Sequence, residues 1–156
     1  MNVIIASPRT WQEYSIDIVD WLNKNKTRAK YRRYTKDTVE DPGILKTADI
    51  IFVIATGDEQ KLIEYIKNIK CKKILWFAEQ LYDISLAKID FTLDRLLNRW
   101  KILKSYIDLF DLIYVIDRNS EQFLIDSKYK NIKILEPFFL QFTRYPIYLQ
   151  NMTYYK

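Results

Sequence analysis

Short apolar runs alternate along the chain with longer stretches in which apolar residues recur every three or four positions. Runs of the first kind fall at Asn2–Ala6, Asp49–Ala55, Lys73–Ala78, Leu112–Ile116 and Asn131–Leu135. A short, nearly continuous apolar run reads as a strand buried on both faces. The first stops at Ser7-Pro8, because proline cannot donate to a strand ladder. Trp11, Tyr14, Ile18, Trp21 and Leu22 form one helical stripe, with Thr10 predicted as N-cap and Glu13 completing a capping box. Leu62, Ile63, Ile66 and Ile69 predict a helix over Glu59–Lys70. Leu93, Leu96, Leu97, Trp100, Leu103 and Ile107 predict a long one from Phe91 or Thr92 to about Leu109. A shorter helix runs through Lys128, capped by Asn119 or Ser120.

Thr27–Tyr34 has period two: Ala29, Tyr31 and Arg33 alternate with Arg28, Lys30 and Arg32. One polar face places that strand near a sheet edge. Asp41-Pro42-Gly43 is a turn, and Ile44–Thr47 a single helical turn. The order is then strand, helix, strand, turn, and three further strand–helix units closing on a strand. Such alternation predicts an α/β, three-layer Rossmann-like domain over residues 1–137. Its sheet is mostly parallel, with about six strands and helices on both faces. Residues 138–156 are rich in Phe and Tyr without a clear period, and read as a tail or short helix.

Composition narrows the chemistry. A chain of 156 residues is one domain long. It has no histidine and one cysteine, Cys71. Nothing therefore predicts a disulfide or a structural zinc, and the commonest general base near neutral pH is missing. Cys71 has no histidine to activate it as a nucleophile. The net charge is +5, which is mildly basic. The N-terminus has no basic segment ahead of an apolar core, and no apolar run approaches about 20 residues. These features predict a cytoplasmic chain without a membrane span.

In open α/β sheets, ligands bind beyond the carboxyl ends of the strands. Those ends carry Ser7 to Arg9, Thr56 to Glu59 (with Gly57 and Asp58 between), Glu79-Gln80, Asp117 to Ser120 (with Asn119) and Glu136. Ser7, Arg9, Thr56, Gly57, Asp58, Gln80, Asn119 and Ser120 are the binding candidates, although several are also ordinary turn and cap residues. Glu79 follows a buried strand directly, so burial would raise its pKa and make it a usable base. A solvated loop carboxylate is the other reading.

Dinucleotide binding needs glycines after the first strand. Ser-Pro-Arg-Thr-Trp stands there, and the whole chain has 2 glycines. A P-loop is also absent, and so are the acidic residues a phosphoacceptor site would need after the first strand. The basic run from Lys24 to Lys36, with Arg28, Lys30, Arg32 and Arg33 at its centre and Tyr31 and Tyr34 interleaved, is the nucleic-acid alternative. Lysine and arginine on an edge strand also prevent edge-to-edge pairing.

Asp108 to Phe139 reads strand, Asp117, small polar residues, helix, then Asn-Ile strand ending at Glu136-Pro137. With Lys73–Glu79 and the long helix after it, this stretch resembles the N-terminal half of GT-B glycosyltransferases, especially spore-coat-type glycosyltransferase-like proteins. The resemblance covers Asp49 to Phe139. It implies an acceptor-side domain, inactive alone, whose partner is a separate donor-binding domain or subunit and whose ligand is a carbohydrate or glycosylated acceptor. Glu79 and Asp117 match acidic or polar positions lining the cleft of that family, which makes them the candidate catalytic residues. No cofactor is expected. The aromatic segment around Tyr145, Tyr148, Tyr154 and Tyr155 would suit a contact with a second copy or another domain. A non-enzymatic α/β binding or regulatory module is the alternative reading.

Overall fold

A computed structural model describes residues 1–78, 81 and 99–135. Its strands are β1 (Asn2–Ser7), β2 (Arg28–Arg33), β3 (Ile50–Ala55), β4 (Lys72–Phe77), β5 (Leu112–Val115) and β6 (Ile132–Ile134). The helices are α1 (Gln12–Lys24), α2 (Gln60–Ile66), α3 (residues 99–104) and α4 (Arg118–Asp126). All strands are parallel, in one six-stranded sheet of order β2-β1-β3-β4-β5-β6. The fold is the expected three-layer Rossmann-like one, and the Thr27–Tyr34 period-two segment does form an edge strand.

The strand order explains where the helices lie. The chain steps from β1 to β2 in one direction, then passes back over β1 to reach β3. Right-handed crossovers put helices on opposite faces when the direction reverses. Accordingly α1 packs Tyr14, Ile18 and Val19, with Trp11 just before it, against Val3, Ile5, Ala29 and Ile54. The later helices pack Leu62, Ile66, Leu103 and Leu124 against Ile4, Ile51, Val53 and Leu75 on the other face. Alternate residues of each strand thus feed two cores, which is why the central strands have almost no polar positions. Trp76 is 0% exposed. It sits 5.3 Å from the rings of both Trp11 and Tyr14, anchoring α1 to the middle of the sheet.

Four local expectations change. The first helix begins at Gln12, after a 3-10 turn over Arg9–Trp11. Thr10 lies inside that turn and caps nothing, because β1 runs on to Ser7 and Pro8 starts the tight turn immediately. Trp21 is 58% exposed rather than inward; the stripe that meets the sheet runs through Tyr14, Ile18, Val19 and Leu22. Helix α2 is shorter than predicted and ends at Ile66, although Ile69 still packs on the core. The cap of α4 is Asp117, not Asn119 or Ser120: its Oδ1 accepts the Ser120 N–H at 2.8 Å. The aromatic segment over residues 138–156, with Leu93, Leu96 and Leu97, lies outside the described residues.

Candidate functional site

The one reversal of strand order falls at β1, so the crevice between the loops after β1 and β3 is where an open sheet of this kind takes its ligand. A cleft of about 500 Å³ occupies that place, within the range of small-molecule sites. The 3-10 turn after β1 supplies Pro8, Arg9, Thr10 and Trp11. The end of β2 supplies Tyr34, Thr35 and Lys36. Thr56 and Asp58 line it from the end of β3, and Arg99 at the start of the described part of α3 closes it. Its charged side chains are therefore Arg9, Lys36 and Arg99 against Asp58.

Each wall is fixed by buried polar contacts. Ser15 Oγ donates to Ser7 Oγ at 2.7 Å or to the Trp11 carbonyl at 2.8 Å, tying the end of β1 to α1. Tyr34 is buried, with its hydroxyl donating 2.6 Å to the Ile54 carbonyl. Burial and the nearby Glu59 carboxylate hold that hydroxyl well above its ordinary pKa, so it stays protonated. The loop after β3 is built around Glu59, which is 0% exposed. Glu59 Oε2 accepts the N–H groups of Thr56 at 3.2 Å and Gly57 at 2.9 Å. Its Oε1 accepts the Tyr106 hydroxyl. Gly57 adopts φ +104°, which turns its N–H onto the carboxylate, and a Cβ there would meet Arg99 Cγ at 3.3 Å. Burial pushes the Glu59 carboxyl up to about 7, outweighing the backbone donors that favour its charged form.

The cleft brings together Arg9, Thr56 and Asp58 of the candidates named from sequence, with Gly57 buried in the same β3 loop. Ser7 is buried behind the cleft in its bond to Ser15. Asp117, Asn119 and Ser120 stand at the end of β5 and do not line it. Ser120 is buried and its Oγ accepts the Leu81 N–H at 2.9 Å, joining the exit of β4 to α4. Asp117 Oδ2 is buried without a hydrogen-bond partner among the described residues. Glu79, Gln80 and Glu136 lie outside the described residues. In the basic segment, Arg32 pairs with Asp41 at 3.0 Å and Arg33 with Glu40 at 2.8 Å, while Arg28 and Lys30 are exposed.

Trp11, Tyr34, Lys36 and Arg99 were not among the sequence candidates for this site. Tyr34 and Lys36 follow from one rule, since they stand at the carboxyl end of β2 just as Arg9 does for β1. Among the described residues, no group of three or more His, Cys, Asp or Glu is placed to hold a metal ion. No helix among them is long and apolar enough to cross a membrane. Compared with known protein families and with curated proteins, the chain matches none of them.

Proposed function

We propose that this chain is a glycosyltransferase-like, acceptor-side domain. It binds a carbohydrate or glycosylated acceptor in the cleft at the β1/β3 switch point and needs a separate donor-binding domain or subunit for transfer. The observation that carries this reading is the cleft itself. Three neighbouring strand ends converge on about 500 Å³ lined by Thr10, Trp11, Thr35, Thr56 and Asp58, a mixture of hydroxyls, a carboxylate and an aromatic ring that suits a polyol. The order β5, Asp117 as cap, α4, β6 also supports the resemblance noted over Asp108 to Phe139.

The buried carboxylate nearest the cleft, Glu59, is engaged on both oxygens by groups of its own domain. The exposed carboxylate in the wall is Asp58. The domain's own groups thus bind and orient an acceptor, and the donor comes from elsewhere. An NMR titration of the isotope-labelled chain with a panel of mono- and oligosaccharides tests this. Amide shifts confined to residues 9–11, 34–36 and 56–58 are expected, with no product when nucleotide sugars are added. Saccharides that leave those amides unmoved overturn the binding-site reading. Robust sugar transfer by the isolated chain overturns the half-enzyme part.

A further inference from the structure

We infer that the ligand of this cleft carries an oxyanion, a phosphate or a carboxylate, held between Arg9 and Lys36. This rests on the reading of the cleft as the acceptor site and specifies its substrate class as an anionic sugar. Among the described residues, Arg9 and Lys36 line the cleft on its β1–β2 side, and Asp58 is the carboxylate in its wall. The balance is local, because the chain neutralises arginines close by. Arg32 and Arg33 each hold a carboxylate within 3.0 Å. Arg9 and Lys36, by contrast, enter no salt bridge with the described residues. They come from the ends of adjacent paired strands, where Ser7 is in register with Arg33. Both are exposed and line the cleft.

The loop after β3 says where in the cleft the anion goes. In α/β folds, backbone N–H groups at a strand end commonly take a phosphate. Here the Thr56 and Gly57 N–H groups are already filled by the Glu59 carboxylate. At the β3 end an incoming oxyanion therefore finds those two backbone donors taken. Asp58 repels it from the β3 side. The anion belongs on the β1–β2 side, where the Arg9 guanidinium can take two oxygens at once. The neutral, hydroxyl-bearing part then lies toward Thr56 and Asp58.

Calorimetric titration of the full chain with glucose, glucose 6-phosphate, glucuronate and inorganic phosphate tests this, beside the variants R9Q/K36Q and K24Q/K26Q. Both pairs are exposed and unpaired among the described residues, so unchanged thermal melting shows that each variant is folded. At least about tenfold tighter binding of glucose 6-phosphate or glucuronate than of glucose is expected, as charge-assisted hydrogen bonds give. R9Q/K36Q should lose about tenfold or more of that affinity, and K24Q/K26Q should keep it. Tighter glucose 6-phosphate with weak glucuronate assigns a phosphate; the reverse assigns a carboxylate.

Equal losses in both variants would mean diffuse charge attraction and overturn the inference. Glucose binding as tightly as its charged relatives would overturn it too, while leaving the acceptor site standing. Inorganic phosphate bound through Arg9 and Lys36 with no affinity for any sugar would do the opposite, keeping the anion site and removing the carbohydrate reading.

Discussion

Two strand ends of this sheet carry a carboxylate that accepts backbone N–H groups, and they use it in opposite ways. At the end of β5, Asp117 reaches forward to the Ser120 N–H and caps α4, only partly buried. At the end of β3, Glu59 reaches backward to Thr56 and Gly57, is fully buried, and is held by Tyr106 from 47 positions away in the chain. The first is a local device that any short acidic side chain of the right type can perform. The second is a tertiary one, in which a loop, a left-handed glycine and a distant tyrosine are assembled around one buried group. The cleft at the β1/β3 switch point lies beside the second, and these contacts hold its β3 wall.

The largest expected effect is at Glu59. Replacing it with alanine leaves the Thr56 and Gly57 donors and the Tyr106 hydroxyl without their acceptor and opens a void. A loss of about 3–5 kcal/mol is expected in urea unfolding at pH 5.5. The pH dependence sharpens the point. The folded carboxyl titrates at about 7 against an unfolded value near 4.5. Between these values the folded state keeps a proton that the unfolded state has lost. Stability from this group is therefore complete below about pH 4.5 and is lost as pH rises through 7. The change is about 3 kcal/mol, at about 1.4 kcal/mol per pKa unit. Glu59→Gln keeps the shape without the titration and should flatten that slope; an unchanged slope would show that Glu59 is not its source.

Next comes Gly57→Ala. The positive φ disfavours any side chain, and the Cβ would press on Arg99. A cost of about 1–3 kcal/mol is expected, with weaker ligand binding because Arg99 lines the cleft. Thermal melting and the titrations described above measure both. The smallest effect is at Asp117→Ala, about 1 kcal/mol of helix capping, restored by Asp117→Asn. A loss at Asp117 as large as that at Glu59 would erase the contrast between the two strand ends.

The same contrast separates what was legible in the sequence from what was not. Strands buried on both faces show as apolar runs, so the parallel sheet and its edge strand followed from pattern. Asp117 was visible because it directly follows a buried strand, although its capping role was assigned to its neighbours. Glu59 was visible only as the end of the loop after β3 and the start of a helix. Its partner Tyr106 is far along the chain, and nothing local marks a carboxylate as buried. Glu79, from which an upward pKa shift by burial is expected, lies outside the described residues; among the described carboxylates Glu59 carries such a shift. The β2 wall of the cleft was not legible, because the polar edge face of that strand does not show as an apolar run with a carboxyl end. Tyr34 and Lys36 were lost with it. Arg99 could not have been found, since a helical residue reaches the cleft only through the packing of its helix.

The strand order has a consequence for how the domain is made. Every hydrogen-bonded pair in the sheet joins strands consecutive in the chain, except β1 with β3. During synthesis only that one pairing has to wait for an intervening strand. Once Ala55 has emerged, β2, β1 and β3 can associate, and each later strand adds to the edge just completed. Each later closure then spans one crossover only, although parallel pairing across a crossover is slow compared with a hairpin and leaves the growing edge open in the meantime. The cleft is framed by the ends of the three strands completed first, so the oldest part of the nascent sheet also shapes its walls.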